Sequence, residues 1–133
     1  MRILLTEDDD SVRAFVSRAL QLDGHDVDTA CDGVEALERL TDGEGNYDLL
    51  VTDVKMPLMD GIALAHEASG KWPGLPILLM TGFADQRERA EDLAEKIRDV
   101  VTKPFTLQQI RRAVSEAATA EENSEREKAE QAA

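Results

Sequence analysis

Three observations predict an α/β fold built on a doubly wound parallel sheet. Strand-like and helix-like patterns alternate five times within 133 residues. The strand-like runs, such as Ile3-Leu4-Leu5 and Leu49-Leu50-Val51, are continuously apolar, as in strands covered by helices on both faces. The third observation is where the chemistry falls. Glu7-Asp8, Asp53, Thr81 and Lys103 each close a different apolar run. The carboxyl ends of parallel strands are where open α/β sheets keep their sites.

The first strand is Arg2-Ile3-Leu4-Leu5-Thr6, and Asp10 stands where it would cap the helix that follows. Val12, Phe15, Val16, Ala19 and Leu20 recur at helical spacing and predict that helix's buried face. Residues 27–30 read as a short second strand. Asp32 then caps a second helix, with Glu35 three residues on and Val34, Leu37 and Leu40 on one side. Gly43-Glu44-Gly45-Asn46 is a loop before the strand that leads to Asp53. A third helix is expected over 60–72, closed by Pro73-Gly74. The strand Ile77-Leu78-Leu79-Met80 ends at Thr81, and a fourth helix over 85–96 should turn Ala90, Leu93, Ala94 and Ile97 inward. Val100-Val101-Thr102 precedes Lys103-Pro104. Thr106 and Gln109 form a capping box for a fifth helix that should bury Leu107, Ile110, Val114 and Ala117.

Five such units predict a five-stranded parallel sheet in the flavodoxin-like order 2-1-3-4-5, with five helices and a site at the switch point beside the first strand. The first and third strands are neighbours in that order, so Glu7, Asp8 and Asp53 should converge. Periodicity stops near residue 118. One domain is expected over 1–118, followed by a polar, acidic tail over 119–133, either a helix extension or disordered.

Composition excludes several classes of function. A formal charge of −13 disfavours nucleic acid and anionic membrane surfaces, because phosphate must be neutralised by Lys and Arg. Hydrophobic content of 42% with only 4% aromatic suits an aliphatic core rather than a stacking platform. Cys31 is the single cysteine, which excludes an internal disulfide and any zinc spacing. The apolar start at residues 3–5 is far too short for a signal sequence, and no run approaches a membrane span. The expectation is a cytoplasmic protein. His25, His66, Trp72 and the four methionines read as turn or packing residues.

Asp53 is the candidate nucleophile: a carboxylate can take a phosphoryl group from phosphohistidine and hold it as an acyl phosphate. Such a transfer asks the protein mainly for positioning and charge neutralisation. Several acids packed together call for a cation, and Mg2+ favours oxygen ligands. Each residue has an ordinary explanation by itself. Asp8, Asp9 and Asp10 suit a helix start, Asp53 a turn, Thr81 a strand end, and Lys103 a surface. The four together, each ending its own strand, do not reduce to those explanations.

This set resembles the receiver domain of two-component response regulators over about residues 1–118. The block Val54-Lys55-Met56-Pro57-Leu58-Met59-Asp60-Gly61 and the stretch Leu79-Met80-Thr81-Gly82-Phe83-Ala84-Asp85-Gln86-Arg87 are especially similar to the stand-alone cell-cycle receivers of α-proteobacteria. The resemblance implies that Asp53 is the phosphoacceptor, that Asp8 and Asp53 ligate Mg2+ directly, that Glu7 acts through water or weakly, and that the Lys55 backbone carbonyl supplies another oxygen. Lys103 would contact a phosphoryl oxygen and Thr81 would hydrogen-bond the phosphoryl group, with a cis Lys103-Pro104 bond aiming the lysine. The implied partners are a histidine kinase or histidine phosphotransferase and an AAA+ protease such as ClpXP, primed when the receiver is unphosphorylated. Recruitment to a cell pole through those partners is also implied.

Two departures stand out. Glu7 occupies a position where Asp is commoner. Val100 lies three residues before the lysine, where many receivers carry a switch Tyr or Phe; either the nearby aromatic Phe83 takes over the switching role, or the output relies on loop movement alone. Two other readings remain: a phosphate shuttle within a relay, and a Mg2+-dependent phosphohydrolase. The phosphohydrolase needs a second acid two residues after the nucleophile, where this chain has Lys55.

Overall fold

The computed structural model describes residues 1–56, 58–82, 97 and 99–117. The expected helix over 85–96, the aromatic Phe83 and the tail over 119–133 lie outside those residues. Five strands form one parallel sheet: β1 (Arg2–Thr6), β2 (Asp26–Ala30), β3 (Leu49–Asp53), β4 (Ile77–Thr81) and β5 (Asp99–Thr102), in the order 2-1-3-4-5. The described helices are α1 (Asp10–Leu22), α2 (Gly33–Asp42), α3 (Gly61–Lys71) and α4 (residues 107–117).

Alternation along the strands sorts the core into two layers. Leu4, Leu50, Ile77 and Leu79 pack with Ala36 and Leu40 of α2 and Ile62, Leu64 and Ala65 of α3. Ile3, Leu5, Leu49, Val51, Leu78 and Met80 face the other way, toward Val16 and Leu20 of α1 and Ile110 and Val114 of α4. Each of those aliphatic strand residues is fully or almost fully buried. Burial at that level contributes about 1.5–3 kcal/mol per side chain, which is why short strands suffice. The continuous apolar runs in the sequence are therefore two interleaved faces, one for each helical layer.

Two helix starts follow the expected capping chemistry, a third is capped by Asp60, and one shifts. Asp32 accepts from the Glu35 N–H at 2.8 Å, Asp60 accepts from the Ala63 N–H at 2.8 Å, and Thr106 and Gln109 exchange hydrogen bonds at 2.8 and 3.1 Å. For α1 the cap is Asp9, not Asp10. The Asp9 backbone is extended, and its carboxylate accepts from the N–H groups of Ser11 and Val12 at 2.9 and 3.0 Å. Asp10 is already helical and pairs with Arg13.

Three residues expected in the core are substantially exposed: Phe15 at 45%, Val34 at 39% and Leu107 at 41%. Val34 and Leu107 sit in the first turn of their helices, ahead of Ala36 and Ile110, which make the buried contacts. Phe15 lies at the edge of the α1 stripe; Val16, Ala19 and Leu20 take the sheet-facing positions. Helical periodicity locates a stripe but not its width.

Candidate functional site

The carboxyl ends of β1, β3 and β5 deliver three charged side chains to one place. Glu7 follows β1 and is 1% exposed. Its N–H donates to the Ala30 carbonyl at 3.1 Å, and the Arg13 guanidinium donates to its carbonyl at 2.9 Å, so the turn into α1 is tied on both sides. Its carboxylate accepts from the Asp9 N–H at 3.2 Å and from Lys103 Nζ at 2.9 Å. Asp53 ends β3 and is 6% exposed. One of its oxygens accepts from the Val54 N–H at 2.9 Å, and the other lies 3.2 Å from Lys103 Nζ. A single ammonium thus bridges two buried carboxylates carried by different strands.

Asp8 is exposed and completes the acidic set: one carboxylate oxygen from each of Glu7, Asp8 and Asp53 falls within 4.8 Å of the others. Three hard oxygens at that spacing suit a small divalent cation such as Mg2+. Thr81 is fully buried at the end of β4, and its carbonyl accepts the Lys103 N–H at 2.7 Å, which ties the β4 and β5 ends together. The Lys103-Pro104 bond is cis. Lys55 is exposed in the loop after β3. Val100 is half-buried and packs against the α2/α3 layer of the core.

Electrostatics at the site follow from burial. Desolvation raises the Glu7 carboxyl from 4.5 to about 7, with Lys103 opposing the shift and the Asp53 charge adding to it. Desolvation also raises Asp53 above the usual carboxylate range, again against the pull of Lys103. Burial pulls Lys103 down, but hydrogen bonding and charge from Glu7 and Asp53 outweigh it and leave the ammonium raised overall. The site is a concentrated negative charge that one lysine only partly offsets.

Sequence reasoning passed over several residues that shape this site. Asp9, read only as an acid suited to a helix start, also donates its N–H to the Glu7 carboxylate. Arg13 carries no motif signal, since its role depends on the turn geometry. Gly61 is the third. Its N–H donates to the Val54 carbonyl at 2.7 Å, and a Cβ built there would lie 2.0 Å from the Asp53 carbonyl oxygen. Only a residue without a side chain lets α3 begin so close to the end of β3. Leu58, in the same loop, is 84% exposed with φ of 67°, a left-handed conformation that costs a leucine about 1 kcal/mol or more.

A parallel 2-1-3-4-5 sheet with acids after β1, an aspartate ending β3 and a lysine after β5 is the arrangement expected of a receiver domain, and comparison with known proteins agrees. Residues 3–115 match the response regulator receiver domain, so the chain belongs to that family. It is 41% identical over 109 residues to the response regulator receiver protein CpdR of Brucella abortus, covering 82% of this chain and 89% of that protein. The fold is also that of a receiver domain protein from Clostridium thermocellum, with a TM-score of 0.82, 26% identity, and coverage of 91% of this chain and 96% of that one. The response regulator TrrA of Thermotoga maritima, solved in complex with Mg2+-BeF, superposes with a TM-score of 0.77 at 30% identity, covering 87% of this chain and 97% of its own. No helix among the described residues is long and apolar enough to cross a membrane.

Proposed function

We propose that Asp53 accepts a phosphoryl group from a phosphohistidine donor, with Mg2+ held by Glu7, Asp8, Asp53 and the Lys55 carbonyl, and that the phospho-state gates protein binding. The observation that carries this reading is the Lys103 bridge between Glu7 and Asp53, with Asp8 completing an oxygen cluster. A buried aspartate next to a lysine at a strand end is poised for nucleophilic attack and for stabilising charge on the incoming group. An Asp53 oxygen forms the new bond to phosphorus as the phosphorus–nitrogen bond breaks, and the departing imidazole keeps the electron pair. Lys103 exchanges its contact with the carboxylates for one with a phosphoryl oxygen. Thr81 hydrogen-bonds the phosphoryl group. Mg2+, when bound, supplies charge neutralisation for the phosphoryl oxygens.

An apolar groove of about 460 Å³ beside Lys103 supports a macromolecular donor. It is lined by Val12, Phe15, Gly82, Lys103, Pro104 and Phe105. Because Lys103 belongs to both groove and acidic cluster, a helix of a histidine kinase or phosphotransferase seated there brings its histidine to Asp53. The exposed Phe15 is then a contact residue rather than a failed core residue.

On the output side, likeness to CpdR supports a stand-alone cytoplasmic receiver whose unphosphorylated form primes an AAA+ protease such as ClpXP, with recruitment to a cell pole through those partners. Residues 1–118 act as the receiver and 119–133 as a separable polar tail. With Val100 in place of a switch aromatic, the conformational readout runs through Thr81 and either Phe83 or loop movement alone. The protein is a phosphoacceptor with its own slow autophosphorylation and dephosphorylation, not an enzyme acting on another substrate.

Incubation with acetyl phosphate and Mg2+, followed by a Phos-tag gel, tests the assignment. A shifted band in wild type that disappears in Asp53→Asn is expected; a band that persists in Asp53→Asn overturns it. Pull-downs with wild type and Asp53→Ala then separate an adaptor from a phosphate shuttle, since a shuttle retains only its relay partners.

A further inference from the structure

We infer that Thr52, which carries no charge and is not among the acidic cluster's residues, is a positioning residue for the phosphoacceptor. The inference rests on Asp53 being that acceptor. Thr52 is fully buried in β3, and its hydroxyl donates to the carbonyl oxygen of Asp53 at 2.9 Å. That carbonyl belongs to the same rigid peptide unit as the Val54 N–H. The Val54 N–H in turn donates both to the Met80 carbonyl at 3.1 Å and to the Asp53 carboxylate at 2.9 Å. The hydroxyl therefore grips one end of a plane whose other end holds the nucleophile.

Gly61 limits the same plane from outside, since any Cβ there would strike the Asp53 carbonyl oxygen. Together, Thr52 and Gly61 leave the 53–54 peptide one orientation. With the Thr52 hydroxyl gone, the plane is free to tilt, and the carboxylate turns with it while Lys103, Glu7 and Asp8 stay where they are. A nucleophile displaced by a fraction of an ångström loses rate long before it loses binding.

Two substitutions separate positioning from packing. Thr52→Val keeps the volume and removes the hydroxyl; Thr52→Ser keeps the hydroxyl and loses the methyl. At saturating Mg2+ with acetyl phosphate, Thr52→Val should be phosphorylated about tenfold more slowly, and Thr52→Ser within about twofold of wild type. Mg2+ affinity by calorimetry should fall by much less than the rate in Thr52→Val and stay at the wild-type value in Thr52→Ser. The 13C carboxyl resonance of Asp53 should shift in Thr52→Val and stay in place in Thr52→Ser. Where Thr52→Val fails to fold, Thr52→Ala against Thr52→Ser isolates the hydroxyl in the same way. Wild-type rates in the hydroxyl-free variants, or equal slowing in all of them, overturn the inference. Phosphorylation that survives in Asp53→Asn instead defeats the phosphoacceptor reading, and the two failures are distinct.

Discussion

Lys103 Nζ stands 2.9 Å from Glu7 and 3.2 Å from Asp53, so one ammonium serves two carboxylates that are almost entirely withdrawn from water. Buried charges are tolerated only when paired. Two anions against one cation leave the metal-free site electrostatically under-compensated. Function and stability are therefore opposed at the two carboxylates, and neutralising one of them should move the two in opposite directions.

Glu7→Gln should raise the stability of the metal-free protein by roughly 1 kcal/mol while weakening Mg2+ binding, since it removes one of two competing buried anions. The pH dependence has a definite sign. Glu7 is raised in the folded state from 4.5 to about 7, so its contribution is fully present below pH 4.5 and is lost as pH rises through 7. Metal-free melts between pH 4.5 and 8 should show wild type losing stability across that window more steeply than Glu7→Gln. Parallel profiles for the two proteins would remove Glu7 as the cause.

Lys103→Met leaves both carboxylates without their cation and should destabilise the metal-free protein by about 3 kcal/mol. Saturating Mg2+ should restore much of that loss, because a cation bound to the native state alone stabilises it. Thermal melts with and without Mg2+ measure this directly. A loss of equal size in both conditions would mean that Lys103 contributes packing rather than charge.

Two glycines of α3 should respond in opposite ways. Gly70 has nothing within 4 Å of a built Cβ, so Gly70→Ala should stabilise by about 0.5–1 kcal/mol through helix propensity. Gly61→Ala must displace the Asp53 carbonyl and should destabilise by at least about 2 kcal/mol. Urea midpoints for the two variants should fall on opposite sides of wild type. Similar midpoints would show that the end of β3 yields to α3 without cost.

Leu58 keeps a left-handed backbone while burying almost nothing, so Leu58→Asn should stabilise by about 0.5–1 kcal/mol with phosphorylation unchanged. A chemical denaturation curve decides the matter. A lower midpoint in Leu58→Asn would place the exposed leucine in a stabilising contact.

Strand order, the buried parallel sheet and the convergence of Glu7, Asp8, Asp53 and Lys103 were legible in the sequence. Strand-end polar residues and continuous apolar runs are local signals, and chain order with right-handed crossovers restricts how the strands assemble. The capping of α2 and α4 was legible too, because a cap satisfies donors within three residues of itself. What local pattern could not supply was anything set by the geometry of the folded chain. The shift of the first cap to Asp9 and the clamp of Arg13 on the Glu7 carbonyl depend on the backbone geometry of the turn from β1 into α1, and the exposure of Phe15 on how α1 seats against the sheet. The Asp53–Val54 peptide is the sharpest instance. Its carbonyl lies against Gly61 and its N–H meets Met80, contacts that exist only once β3, β4 and α3 are packed, and they are added to the neighbouring-residue bonds from the Thr52 hydroxyl and to the Asp53 carboxylate. Residue type and spacing nominated the chemical groups; tertiary packing decided which of them are buried, which share a charge, and which backbone atoms hold the nucleophile in place.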